Sequence, residues 1–164
     1  MSHRDRTFVS YAREDIGAYW AMRGWPHAAG IPFDFHDAHD LALGSDSSPR
    51  DQRRSLRERL AATRQFVVLV GTRSRTVADN PRGFFALELD VIRSLDVPVI
   101  FVNLNGARHV DTLRLPLALS EASSISVPFE PAILRHALDD FTVGVYPRAQ
   151  AFFYPSVVYA ELGI

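Results

Sequence analysis

The sequence contains no cysteine, no long hydrophobic run and almost no net charge. The lack of cysteine excludes disulfide bonds, thiolate zinc sites and a cysteine nucleophile, and it is typical of proteins in a reducing compartment. The longest apolar runs, 66–70 and 97–102, are far shorter than the ~20 residues that a membrane-spanning helix needs. The charged N-terminus lacks the apolar segment of a signal sequence. We therefore expect a cytoplasmic protein that does not bind membranes.

Positive and negative charges are nearly balanced, with 18 basic residues against 19 acidic residues and a net charge of −1 at pH 7. Nucleic-acid-binding domains normally carry a strongly basic face, so we expect no nucleic-acid partner. The length of 164 residues and the 47% hydrophobic content are typical of one globular domain with a substantial core.

Short apolar runs alternate with segments of helical periodicity over most of the chain. Segments 15–23, 49–61, 81–92 and 131–141 have the spacing of amphipathic helices, and 111–122 has it weakly. An uninterrupted apolar run such as 66–70 is typical of a central parallel strand. This alternation predicts an α/β protein: a three-layer, flavodoxin-like open sheet of about five parallel strands with helices on both faces. The predicted strands are 6–10, 31–35, 66–70, 97–102 and 124–127.

The last part of the chain departs from this alternation. We assign residues 1–142 to the α/β domain and residues 143–164 to an aromatic C-terminal extension. A monomer rarely exposes that much aromatic surface, so we expect the extension to pack on the domain or on another subunit of a homo-oligomer. Its aromatic residues are Tyr146, Phe152, Phe153, Tyr154 and Tyr159.

Polar segments lie at the ends of three of the predicted strands, at the sheet edge where ligands bind in such folds. The first begins with Ser10 and Tyr11, and its two acids, Glu14 and Asp15, favour the start of the next helix. The second, 33–40, contains three aspartates and two histidines. Because alternate side chains of a strand point to opposite faces, we expect a hydrogen-bonded polar loop there and no metal site.

The third polar segment begins at Gly71 and contains hydroxyl groups and the arginines 73, 75 and 82. These residues could hold a pyrophosphate beside a helix N-terminus. The glycine patterns of Walker and dinucleotide-binding loops are absent, as is the serine-hydrolase elbow. Glu88 lies one helical turn after Phe84 and shares its helix face, a spacing that also fits an ordinary surface glutamate.

The order of these segments resembles the TIR superfamily, and in particular the TIR-like branch found in bacterial antiphage systems of the Thoeris type. The resemblance covers about residues 6–128. Four features carry the resemblance. They are the opening segment 8–11 with the two acids at 14–15, the polar segment 33–40, the helical segment 56–60 that leads into 67–71, and Glu88 ahead of 98–100.

This resemblance implies an enzyme that cleaves the nicotinamide–ribose bond of NAD⁺, which is its substrate and not a resident cofactor. The product would be a cyclic or conjugated ADP-ribose signal that activates a separate effector protein. The resemblance also implies that Glu88 is the catalytic glutamate and that Phe84 occupies the place of a substrate-stacking tryptophan. The other residues expected to bind substrate are Phe8, Ser10, Tyr11, Asp37, His39, Thr72 and Arg75.

Many TIR domains are adaptors without catalytic activity, and this alternative stays open because a fold does not determine a function. A receiver domain is disfavoured, because Leu69-Val70-Gly71 occupies the end of the third strand, where a phosphoacceptor aspartate belongs.

Overall fold

A parallel sheet of six strands organises the computed structural model, which describes residues 6–38, 48–142 and 146–164. The strand order is β2-β1-β3-β4-β5-β6, and every neighbouring pair is parallel. The expected flavodoxin-like α/β fold is therefore confirmed, with a sixth strand added. The strands are β1 (Thr7–Ser10), β2 (Phe35–His36), β3 (Gln65–Val70), β4 (Val99–Asn103), β5 (Ser124–Pro128) and β6 (Ala151–Phe153).

Helices cover both faces of this sheet. Short 3-10 turns at Arg13–Asp15 and Leu117–Leu119 accompany them. The helices are α1 (Ile16–Ala28), α2 (Pro49–Leu60), α3 (Ser74–Ala78), α4 (Phe84–Leu95), α5 (Pro131–Asp140) and α6 (Ser156–Glu161). No helix among residues 6–38, 48–142 and 146–164 is both long enough and apolar enough to cross a bilayer.

The central strands β3 and β4 are buried on both faces, as their continuous apolar sequences predict. Val67 and Leu69 join a hydrophobic cluster beneath α1 and α5, whereas Phe66 and Val68 join a second cluster beneath α2 and α4. Each face of the sheet therefore has its own core. The second core supports α4, the helix that carries Glu88.

Several predicted boundaries were wrong for local reasons. The first helix continues to Ala28 with Pro26 inside it. The neighbouring Trp25 packs on Phe129, with ring centroids 4.9 Å apart, and this contact holds the last turn of the helix on the domain. The second strand contains only Phe35 and His36, since Pro32 has no amide hydrogen for the ladder.

Two predicted helices also differ. Helix α4 begins at Phe84 and not at residue 81, because Asn80 forms a turn whose side chain accepts the Arg82 amide hydrogen at 3.2 Å. In the 111–122 segment, the Asp111 carboxylate accepts the Leu113 and Arg114 amide hydrogens, each at 3.2 Å, and the chain makes turns and one 3-10 helix. Helix α3 was not predicted.

The C-terminal residues extend the sheet. Strand β6 pairs with β5, with Ser124 opposite Ala151. Tyr146 stacks on Phe141 with ring centroids 4.4 Å apart, and Tyr159 is 1% exposed. Phe153, by contrast, is 55% exposed on the outer strand.

The predicted start of α2 is confirmed: the Ser48 hydroxyl accepts the Asp51 amide hydrogen at 3.1 Å, and Pro49 begins the helix. We expect Ser48→Ala to lower the free energy of unfolding by ~1 kcal/mol, because one amide hydrogen loses its partner. Urea unfolding measures this. The matched control is Ser55→Ala, at an exposed position inside the same helix, which should be neutral or slightly stabilising. Equal losses in both variants would contradict the capping role.

Candidate active site

The site lies where β1 and β2 end. Ser10 is the last residue of β1, and Asp37 directly follows β2, which is paired with β1 in the sheet. Helix α4 packs against β1 and brings Glu88 to the same place. An ion pair between Arg53 of α2 and Asp90 of α4 ties these two helices together. The fold thus gathers residues that are far apart in sequence at the carboxyl edge of the sheet, where such folds bind ligands.

Glu88 is a buried carboxyl group, 7% exposed. Burial raises the pKa of Glu88 from its ordinary value to about 8, and the nearby Asp37 carboxylate adds to this rise. Hydrogen bonding from the Ser10 hydroxyl acts in the opposite direction and lowers the pKa. Because the raised pKa lies near neutrality, a modest change in the surroundings can change the charge of this group.

The contact between Ser10 and Glu88 is loose. The Ser10 oxygen is buried, yet it has no partner within regular hydrogen-bond geometry among the residues that the structure describes. Hydrogen bonds in active sites often tighten only when the substrate is bound. The Ser10 hydroxyl can therefore bond to a ligand as well as to the glutamate.

Tyr11 and Asp37 form the other half of the site. The Tyr11 hydroxyl donates a hydrogen bond to Asp37 Oδ2, and the Tyr11 ring stacks on Tyr19 with centroids 4.9 Å apart. Burial and the Asp37 carboxylate raise the pKa of Tyr11 well above its usual range, so Tyr11 stays a donor. Arg59 Nη2 donates to the Asp37 carbonyl oxygen at 3.2 Å, which holds the start of this loop.

We call Ser10, Tyr11, Asp37 and Glu88 the acidic cluster. Glu88 interacts electrostatically with each of the other three residues. All four were expected to be site residues from the sequence, and the structure brings them together. Phe84 is half-buried one turn before Glu88 and packs on the core beneath α4, so its ring lies at the same end of that helix.

Other expected site residues lie elsewhere. Phe8 is fully buried, and its ring meets the His36 ring edge-on with centroids 5.4 Å apart. It therefore belongs to the core beneath the site and does not line a cleft. Thr72 is exposed in the turn after β3. Arg75 lines a separate cavity of about 210 Å³ beside the Leu117–Leu119 turn, and no member of the acidic cluster lines that cavity. His39 lies outside the described residues.

Sequence analysis missed Arg59, and it placed His36 in a hydrogen-bonded polar loop without assigning it a role in the site. Arg59 lies between Leu56 and Leu60, the two buried residues of α2. Its position beside the core-facing side of an amphipathic helix could have indicated that it contacts the domain. No such signal marks His36, because its surroundings depend on the strand order. Across the described parts of the chain, no group of three or more His, Asp or Glu side chains could hold a metal ion.

The carboxylate of Asp15 lies against the backbone of Gly71 at the end of β3. A Cβ atom at residue 71 would lie 2.4 Å from Asp15 Oδ2, so this close approach depends on glycine. The Gly71 amide hydrogen is donated to the Ser74 hydroxyl at 2.8 Å, which fixes the turn into α3. The turn after β1 and the end of β3 are therefore in contact at the carboxyl edge of the sheet.

Residues 8–79 match the model of a family described as Thoeris protein ThsB, TIR-like domain. This match supports a TIR-like domain of the Thoeris type. The matched segment runs from β1 through α3 and contains Ser10, Tyr11 and Asp37. Glu88 lies nine residues beyond the matched segment. No curated protein sequence matches the chain.

Proposed function

We propose that this Thoeris TIR-like protein cleaves the nicotinamide–ribose bond of NAD⁺ and converts the ADP-ribose part into a signalling nucleotide in antiphage defence. The observation that carries this proposal is Glu88, a buried carboxyl group with a raised pKa in contact with Ser10 at the carboxyl edge of the sheet. Buried titratable groups of this kind are typical of functional sites. A separate effector protein would receive the product.

The reaction needs stabilisation of positive charge more than it needs acid catalysis. When the bond between nicotinamide and ribose breaks, positive charge develops on the ribose ring, as in glycoside cleavage. Nicotinamide leaves as a neutral molecule, so the leaving group does not have to be protonated. One ionised carboxylate in a poorly hydrated site can stabilise the developing charge, and Glu88 has this position.

The ionisation of Glu88 is coupled to the substrate. With its pKa near 8, Glu88 is largely protonated at pH 7 before substrate binds. The nicotinamide ring of NAD⁺ is cationic, and a nearby cation favours the charged form of a carboxyl group. Binding of NAD⁺ therefore promotes formation of the carboxylate that the reaction requires.

The rest of the acidic cluster positions the ribose. The Ser10 hydroxyl has no regular partner among the residues that the structure describes, and it can bond to a ribose hydroxyl. Tyr11 holds the Asp37 carboxylate in place. Because Glu88 is 7% exposed, the site admits little water. This favours attack on the ribose by another part of the nucleotide, which gives a cyclic product, over hydrolysis.

The alternative of an adaptor without catalytic activity has less support from the structure. A buried, ionisable carboxyl group is costly to folding, and an adaptor gains nothing from it. Assembly surfaces are normally exposed, whereas the acidic cluster is mostly buried.

The test is NAD⁺ turnover by the full chain as a function of pH, measured as free nicotinamide, with nucleotide products identified by mass spectrometry. Because Glu88 acts as a carboxylate, kcat/KM should rise about tenfold per pH unit below its pKa and level off above pH 8. Extract from phage-infected cells supplies the trigger. If folded protein releases no nicotinamide at any pH with this extract, the proposed cleavage of NAD⁺ is wrong.

A further inference from the structure

A second concave surface runs along the sheet edge formed by β2, from the amino ends of β1 and β3 to Asp37 of the acidic cluster. It is a cavity of about 450 Å³ lined by Arg6, His36, Arg59, Ala62, Thr63 and Arg64. A smaller cavity of about 160 Å³ shares three of these residues and adds Arg23 and Asp37 to the lining. We call the two together the arginine groove.

The arginine groove is electropositive. Among residues 6–38, 48–142 and 146–164, four guanidinium groups line it, from Arg6, Arg23, Arg59 and Arg64, and the acidic residues beside it are Asp34 and Asp37. The ion pair between Arg6 and Asp34 is long, at 3.8 Å, and exposed, so it neutralises little. Arg64 makes no hydrogen bond or ion pair to any other part of the chain that the structure describes.

His36 lies in the wall of the groove with unused hydrogen-bonding capacity. It is 7% exposed, and neither of its ring nitrogens has a hydrogen-bond partner in the described segments. Burial and the charges of Arg6 and Arg59 lower the pKa of His36 to about 4, so the ring is neutral at pH 7. A neutral imidazole has one N–H donor, and leaving it unpaired in a buried place is costly. An acceptor oxygen from a ligand would remove this cost.

These groups specify the chemistry of the ligand. Guanidinium groups bind phosphate oxygens through paired hydrogen bonds, and the chain has 18 arginines and no lysine. A volume of about 450 Å³ exceeds the needs of a single small ion and lies within the range of ligand pockets. The groove thus fits an extended, multiply charged oxyanion.

We propose that the arginine groove binds the diphosphate group of a nucleotide, with His36, Arg59 and Arg64 as its principal contacts. The nucleotide would be the one on which Glu88 acts, so this part of the inference rests on the proposed function. Asp37 connects the two places: Arg59 donates to its carbonyl oxygen at 3.2 Å, and Tyr11 donates to its carboxylate. The arginines 73, 75 and 82, which the sequence suggested for this role, are not in the groove.

Calorimetric titration of the full chain with pyrophosphate, ADP-ribose and adenosine, at fixed ionic strength, tests the inference. Pyrophosphate and ADP-ribose should bind and adenosine should not. Arg64→Gln should weaken binding of both by about tenfold, because one charge-assisted contact is lost. The matched control is Arg57→Gln, which removes the same charge from an exposed position of α2 outside the groove. Both replaced side chains are exposed, so the folded structure should persist.

Equal affinities of the two variants would overturn the site, and binding of pyrophosphate without ADP-ribose would overturn its assignment to a nucleotide. The NMR signals of the His36 ring, identified with a His36→Gln variant, give a second readout. They should shift when pyrophosphate is added, and unchanged signals would place the ligand elsewhere. If the protein binds pyrophosphate in the groove but never cleaves NAD⁺, the proposed function fails while the diphosphate site stands.

Discussion

A Glu88→Gln variant should cleave NAD⁺ with a kcat ~10²–10³-fold below that of the unmodified protein. The amide keeps the shape of the side chain but cannot carry the negative charge that faces the ribose in the transition state. Interactions that are stronger in the transition state than in the ground state determine kcat, so the loss appears there more than in KM. The measurement is steady-state release of nicotinamide above pH 8, where the carboxyl group of the unmodified protein is ionised.

Two further variants serve as comparisons for Glu88→Gln. Glu58→Gln makes the same chemical change at an exposed position of α2 and should leave turnover unchanged. Phe84→Ala removes the ring one turn before Glu88 but keeps the charge, so it should raise KM more than it lowers kcat. If folded Glu88→Gln protein turns over NAD⁺ as fast as the Glu58→Gln protein, the catalytic group is elsewhere.

The same replacement should stabilise the fold, by an amount that grows with pH. The pKa of Glu88 is about 8 in the folded chain and 4.5 for an unburied glutamate, so the folded state holds its proton more tightly than the unfolded state does. Stability therefore falls as pH rises from 4.5 to 8. With ~1.4 kcal/mol for each pKa unit, the cost is close to zero at pH 4.5 and about 3 kcal/mol at pH 7.

Glutamine does not ionise, so the Glu88→Gln variant does not lose folding stability through ionisation at residue 88 as the pH rises. Urea unfolding of the unmodified and Glu88→Gln proteins at pH 4.5, 7 and 8.5 should show a gap in unfolding free energy that widens with pH. Comparing the gap across pH values removes any constant difference between a buried amide and a buried carboxylic acid. A gap that is the same at all three values would show that Glu88 is solvated in the folded protein.

The central strands could be predicted from the sequence because their burial on both faces leaves an uninterrupted apolar run, as at Phe66–Val70. Strand β6 could not, because it has three residues and forms only against β5, which is already in place. Helix α3 is also short, with five residues, and its first turn depends on the hydrogen bond between Ser74 and Gly71. Short elements stabilised by tertiary contacts leave little local pattern.

The acidic cluster was predictable in its members but not in its chemistry. Ser10 ends a strand and Asp37 follows one, where ligand-binding residues are expected, and Glu88 was found through the resemblance to the TIR family. The raised pKa of Glu88 depends on how deeply α4 packs on β1, which spacing does not reveal. The arginine groove was hidden for a similar reason: Arg6, His36 and Arg64 meet only because β1 lies between β2 and β3.

The burial of Glu88 also has an evolutionary consequence. Since the carboxyl group weakens the fold at neutral pH, selection for stability alone would replace it. A lineage that kept this fold but lost the need for its chemistry would be expected to exchange Glu88 early, for glutamine or an apolar residue, and to gain thermal stability. Inactive descendants of this protein should then be recognisable as the more heat-resistant ones.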